Sequence, residues 1–282
     1  MNWLIFVVIS VLGSAISTLI RRVIMKRDKN DALATVIIFQ FMGFVIVSLF
    51  AFFHGFVMPP LATYPLHFAA QAVLWGLSSL FLFKASETLE ASEITILSTV
   101  SSLITIATAV FFLNEIFSVT RIIGAALILS SVVFVSFQAD TFRLNKGVLF
   151  ALGSSVCAGI AITNDTFLLR STDVYSMLIV GWLTPGLFLA VTNPRSVGKL
   201  GYFFHRKRFM KVFLLTLFYA VGGLAFYLAI TTGGQASRVS PISQSSIVVT
   251  IILAALFLKE RDHLAKKFLA GVLVMVGVLL LS

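Results

Sequence analysis

The polar side chains set deepest in the apolar stretches of this chain suit hydrogen bonding and proton exchange better than bond cleavage. Asp165, in the run TNDTF, is the carboxylate most deeply placed among apolar neighbours. Gln40 stands alone in one such stretch, whereas Gln71 and Trp75 are four residues apart and share a helical face. Ser98, Ser101 and Thr105 form a hydroxyl stripe, and Ser243, Ser246 and Thr250 repeat it. Beside the stripe the two runs differ, with Thr99 against Gln244 and Ser102 against Ile247. An asymmetric ligand needs such differences. Tyr227, after Gly222 and Gly223, offers an aromatic wall.

Buried amides, hydroxyls and carboxylates must find partners or water. Gln40, Gln71, Trp75, Ser98, Thr99, Asp165, Tyr227, Ser243 and Gln244 are therefore candidates to line a substrate cavity. Each also has a structural reading. A lone glutamine can bond a neighbouring helix, small hydroxyl residues favour close helix packing, and Asp165 can pair with Arg170 or Arg238. Glu115 and Glu260 are expected to begin helices, where a carboxylate suits the exposed amide hydrogens. Glu93 and Arg238, at matching places in the two runs, suggest gates of opposite charge.

Other chemistries find little here. His54, His67, His205 and His263 are scattered, with no HExxH pattern, and the single cysteine, Cys157, has no partner for an intrachain disulfide. No metal site, cofactor or enzymatic activity is expected, and no Walker loop couples the chain to ATP.

The elements that position these residues follow from composition. Hydrophobic residues make up 59% of the chain and charged residues 11%, with a mean hydropathy of +1.04. That is the make-up of a membrane protein. Net charge is +10, but the basic residues sit in short loops without aromatic interleaving, so nucleic acid is not an expected partner. Apolar runs predict spans at 2–20, 33–53, 66–86, 92–113, 117–137, 147–169, 174–192, 210–231, 237–258 and 264–281. The first is read as a span and not a cleavable signal, because no basic residues precede it. Of the Lys and Arg residues, 18 fall on alternate connections and only Arg121, Arg170 and Arg238 on the others, which predicts both termini outside. The basic stretch 193–211 reads as a topogenic loop, with anionic lipid binding as the alternative.

The run from Ala91 to Glu115 recurs from Ala236 to Glu260, an ungapped offset of 145 residues with ten of 25 positions identical. A weaker echo is LGS at Leu12 to Ser14 and at Leu152 to Ser154. Five spans per copy place the second copy upside down in the bilayer. The expected fold is an all-α integral membrane protein of ten transmembrane helices, in two inverted five-helix repeats over 1–138 and 146–282.

The alanine-serine start of each copy, the ends LNE and LKE, and the glycine-bearing final helices IIGAALIL and FLAGVLVMVGVLLL resemble the drug/metabolite transporter superfamily, specifically its EamA-like family. The second copy departs from the first by two extra residues between Glu260 and Gly271, compared with Glu115 and Gly124. The resemblance implies a bundle in which spans one to four and six to nine surround a central cavity, with five and ten outside. It also implies a cell-membrane exporter of small polar or amphipathic metabolites such as amino acids, working by alternating access. Proton coupling through Asp165 is a candidate drive. The competing readings are an intramembrane lipid-modifying enzyme, which calls for ionisable groups clustered at one interface, and a passive channel, which calls for symmetric pore rings. Substrate identity and oligomeric state do not follow from the sequence.

Overall fold

The computed structural model describes residues 3–28, 30–113, 119–138, 141–142, 145–232, 239, 243, 245–260 and 262–281. The apolar runs become helices, because in hydrocarbon only a self-bonded backbone is stable. They are α1 (Trp3–Arg22), continued by a π turn (Val23–Arg27), α2 (Ala32–His54), α3 (Pro65–Thr88), α4 (Ala91–Ser98), α5 (Val100–Leu113) and α6 (Val119–Ser136). A two-residue antiparallel pair, Phe137–Gln138 with Thr141–Phe142, precedes the second half. There follow α7 (Lys146–Leu168), α8 (Val174–Thr192), the short α9 (Pro194–Val197) and α10 (Arg206–Thr231). Last come α11 (Ser246–Leu253), extended by a π turn (Ala254–Leu258), and α12 (Leu264–Leu281).

Polar residues in the connections set the helix starts. Asp31 accepts from the Ala34 amide at 3.0 Å, Asn145 from Val148 at 2.9 Å and Asp173 from Ser176 at 3.0 Å, each satisfying an orphan donor of a first turn. Glu90 and Glu93 close a capping box on α4, so Glu93 is engaged at its own helix and is not the free gate charge expected; Arg238 lies outside the described residues. The span expected as one helix over 92–113 is broken at Thr99. There the amide bonds Ile96 O at 3.2 Å and the hydroxyl takes the same carbonyl at 2.6 Å. This three-residue turn competes with helix continuation.

Among the described residues, six helices are long and apolar enough to cross a membrane: α1 with its π turn as far as Lys26, α2, α3, α7, α8 and most of α10. Ala91–Thr105 and Ser246–Leu258 are apolar and shorter. The chain is thus a helical, multi-pass membrane protein.

Helix α1 packs on α10, α3 on α7, α2 on α8, α6 on α12, α5 on α7 and α1 on α11. Exchanging each helix for the one at the same place in the other half of the chain returns the same set of pairs. Close approach is needed at α1–α10, where a Cβ on Gly13 would lie 2.6 Å from Phe218 O and 2.9 Å from Gly222 Cα; small residues allow this backbone contact. The largest apolar core joins α2, α8 and α10 with Phe83 of α3, and a second ties Ile128 of α6 to Ile247 and Ile251 of α11 and to Ala270, Val274 and Val278 of α12.

The ends of α1, α3 and α11 and the start of α4 meet at one end of the bundle. Arg21 Nε donates to Ser86 Oγ at 3.1 Å and Arg22 Nη1 to Ser86 O at 3.0 Å. Arg22 Nε also donates to Glu260 Oε1 at 2.9 Å, and the Ala91 amide donates to Glu260 Oε2 at 3.0 Å. Lys267, buried near the start of α12, pairs with Glu90. The expectation that Glu260 begins a helix is corrected here. The π turn ending at Leu258 and the left-handed Lys259 (φ 58°) end one helix, and α12 starts only at Leu264. Glu260 therefore lies in the connection, with its carboxylate turned towards α1 and α4. Glu115 lies outside the described residues.

Candidate functional site

Between the two halves lies a cavity of about 550 Å³. Its polar floor is built on α3, where Gln71, Trp75 and Ser79 recur every four residues and share one face. Across from them α7 presents Asp165, which is 3% exposed. Gln71 Nε2 donates to Asp165 Oδ1 at 2.9 Å and Trp75 Nε1 to Oδ2 at 2.8 Å. The carboxylate is thus balanced by two neutral donors, and no ion pair to it forms among the described residues. The expected pairing with Arg170 does not form. Register explains why Gln71 and Trp75 meet Asp165: farther along the same antiparallel pair, Ser78 bonds Ser154 O at 3.1 Å, and Asn164 Nδ2 donates to His67 O at 3.0 Å.

Gln40 of α2 donates to Ser79 Oγ at 3.0 Å and so joins the floor. Ser10 and Ser14 of α1, Ser101, Ser102 and Thr105 of α5, and Ser243 and Ser246 supply hydroxyls. Aromatic walls come from Phe39, Trp75, Trp182, Tyr219, Phe226 and Tyr227. The Trp182 ring stands 5.0 Å from Phe39 and 5.8 Å from Tyr219 between centroids. It is seated directly over Gly43, where an added Cβ would lie 1.9 Å from Trp182 Cε3.

Of the residues singled out from sequence, Gln40, Gln71, Trp75, Asp165, Tyr227 and Ser243 line this cavity. Ser98 and Thr99 are not among its lining residues. Their hydroxyls donate to Ile94 O at 2.7 Å and Ile96 O at 2.6 Å, in the turn where α4 gives way to α5. The stripe reaches the cavity one turn later, at Ser101 and Thr105, and Thr105 also bonds Gly159 O of α7 at 3.1 Å. Gln244 lies outside the described residues. Sequence reasoning missed Ser10, Ser14, Ser79, Trp182 and Tyr219. Ser79 had a signal, as the next four-residue step after Gln71 and Trp75, and Ser10 and Ser14 share that spacing; Trp182 and Tyr219 had none.

The lining sits away from the basic end. Asp165 is near the end of α7 and Met177 near the start of α8, while Arg22, Ser86, Ala91 and Glu260 interlock at the opposite end. No lysine or arginine is among the described lining residues, nor do the described residues group three or more His, Cys, Asp or Glu as a metal site would.

Fold and cavity together define a polytopic helical membrane protein with an internal, solute-sized chamber between its halves. The family model of the EamA-like transporter family matches residues 1–137 and again 145–282. The chain belongs to that family and is a membrane transporter of the drug/metabolite type; members of the family are transporters and not enzymes. Comparison with curated proteins gives no match. Among 22 matching chains of solved structures, one described only as a crystal structure of a protein is 14% identical, covers 97% of this chain and of its own, and gives a TM-score of 0.56. That likeness concerns the fold.

Proposed function

We propose that this transporter is a secondary carrier of the cell membrane that exports small polar or amphipathic metabolites, such as amino acids, by alternating access. Ten transmembrane helices would form two inverted five-helix repeats over 1–138 and 146–282. The invariance of the helix pairs on exchanging the halves supports that symmetry. The observation that carries the reading is the 550 Å³ cavity lined from both halves, with Asp165, Gln71 and Gln40 at membrane depth beside aromatic walls. In hydrocarbon such groups are costly unless they serve a solute or one another. The family resemblance supports the export direction.

Alternating access requires one end of the bundle to be closed while the other is open. The bonds of Arg22 to Glu260 and Ser86, with Glu260 held on the Ala91 amide, tie α1, α3, α4 and α11 together at the basic end. By the positive-inside rule this end is cytoplasmic, so the arrangement is a closed inner gate. Asp165 is the group through which protons would couple, being a carboxylate at the cavity floor with no counter-ion among the described residues.

The test is flux in proteoliposomes against a panel of labelled amino acids and amphipathic metabolites, with and without an imposed pH gradient and with empty liposomes as control. Saturable flux that follows the gradient is expected. Saturable flux indifferent to pH would remove the proton, and no flux from folded protein across the panel would overturn the carrier.

A further inference from the structure

At Gln71 and Asp165 the floor of the cavity offers acceptors in excess of donors, and that asymmetry specifies a donor. Gln71 is 1% exposed, and its amide orientation is fixed by Asp165, because only the nitrogen can donate to the carboxylate at 2.9 Å. This leaves Gln71 Oε1 buried with no partner. Ser243 Oγ, also in the lining, is buried and unpartnered too, a hydroxyl that can donate as well as accept. Buried acceptors without donors are rare in folded proteins and call for a missing partner. Asp165 adds two carboxylate oxygens, each accepting one neutral hydrogen bond from the described residues, and no lysine or arginine stands among the described lining residues.

We infer that the cavity selects solutes carrying a protonated amine on an apolar or aromatic body, seated with the ammonium at Asp165 and Gln71 Oε1. An ammonium group brings three donors and a positive charge that the described residues of the floor do not supply. A carboxylate or phosphate would face Asp165 with no cation among the described lining residues to answer it. The faces of Trp75, Trp182, Tyr219 and Tyr227 suit both an aromatic body and a cation drawn to ring electrons. For an amino acid the amine is thus the recognised end, and its carboxylate adds nothing at this floor. This deepens the transporter reading above and rests on it.

Binding can be followed by intrinsic tryptophan fluorescence, since two of the chain's three tryptophans, Trp75 and Trp182, line the cavity. Purified protein in nanodiscs is titrated at neutral pH with phenethylamine, phenylalanine, N-acetylphenethylamine and hydrocinnamate, which share one aromatic body and differ in charge. Phenethylamine is expected to bind at least as tightly as phenylalanine, and about tenfold or more tighter than the amide or the acid, the difference between charged and neutral hydrogen bonds. Asp165→Asn should bring the amine down to the affinity of the amide. If that variant does not fold, Gln71→Met, which removes the orphan acceptor and keeps the carboxylate, should weaken the amine and leave the amide unchanged. Hydrocinnamate binding as tightly as the amine, amine preference surviving Asp165→Asn, or no member of the series binding folded protein would each overturn the inference. Saturable flux of some other solute in those cases leaves the transporter reading standing. Amine-selective binding without flux of any solute would do the reverse.

Discussion

Replacing Glu260 with methionine removes the carboxylate that holds Arg22. The two groups meet at 2.9 Å, with side chains 2% exposed for Arg22 and 12% for Glu260. Arg22 already has one nitrogen, Nη2, buried without a partner, so the variant strands a cation whose remaining hydrogen bond among the described residues is to Ser86 O. Breaking one side of a buried pair costs about 3–5 kcal/mol. Arg22→Met should cost less, because Glu260 keeps the Ala91 amide and some water. The double variant strands no charge and puts two apolar side chains together, so it should recover most of the loss. Thermal unfolding of the purified variants should therefore rank the double above Arg22→Met and Arg22→Met above Glu260→Met. The same energy is a factor of about a hundred or more in a two-state equilibrium. A Ser14→Cys reporter in a Cys157→Ala background should become open to membrane-impermeant maleimide from the basic end when Glu260 is replaced. A double variant that falls as far as the two single losses combined would refute the coupling, and reporter labelling unchanged from that end would refute the gate.

Two further outcomes follow from particular contacts. Gly43→Val should push the Trp182 indole into the cavity, because even a Cβ there overlaps the ring; stability falls by about 1–3 kcal/mol, typical of overpacking, and solute binding falls more than membrane abundance does. Asp31, outside the spans, is influenced first by burial, which raises its carboxyl, but the hydrogen bond from Lys199 and the Ala34 amide outweigh this and hold it below the usual range. A carboxyl held low stabilises the folded state above its unfolded value and loses that contribution as pH falls. Asp31→Asn should thus cost up to about 1 kcal/mol at neutral pH, limited by the exposure of the pair, and the gap to wild type should narrow below about pH 4 in unfolding scans. A gap that widens in acid would contradict this.

The site was legible where it depends on one helix at a time. Gln71, Trp75 and Ser79 share a face because 3.6 residues make a turn, and that needs no partner helix. Asp165 stood out because a carboxylate amid apolar residues is costly wherever the helix packs. Ser98 and Thr99 failed for an equally local reason: their hydroxyls return to carbonyls of their own helix and turn the chain there. Trp182 and Tyr219 could not be found from sequence, since an aromatic ring in a membrane helix can face lipid, a neighbour or a cavity, and only packing chooses.

Sequence alone determined that this chain is a membrane bundle and which faces of its helices carry polar groups, because hydropathy and helical period are properties of short segments. Tertiary structure alone decided that Asp165 meets Gln71 and Trp75 instead of Arg170, that Trp182 rests on Gly43, and that Glu260 reaches back from the connection before α12 to Arg22 of α1 and the Ala91 amide at the start of α4. Those choices are set by the register in which helices far apart in the chain pack together. That register is fixed by close contacts such as Gly13 against Gly222, which involve both partners at once.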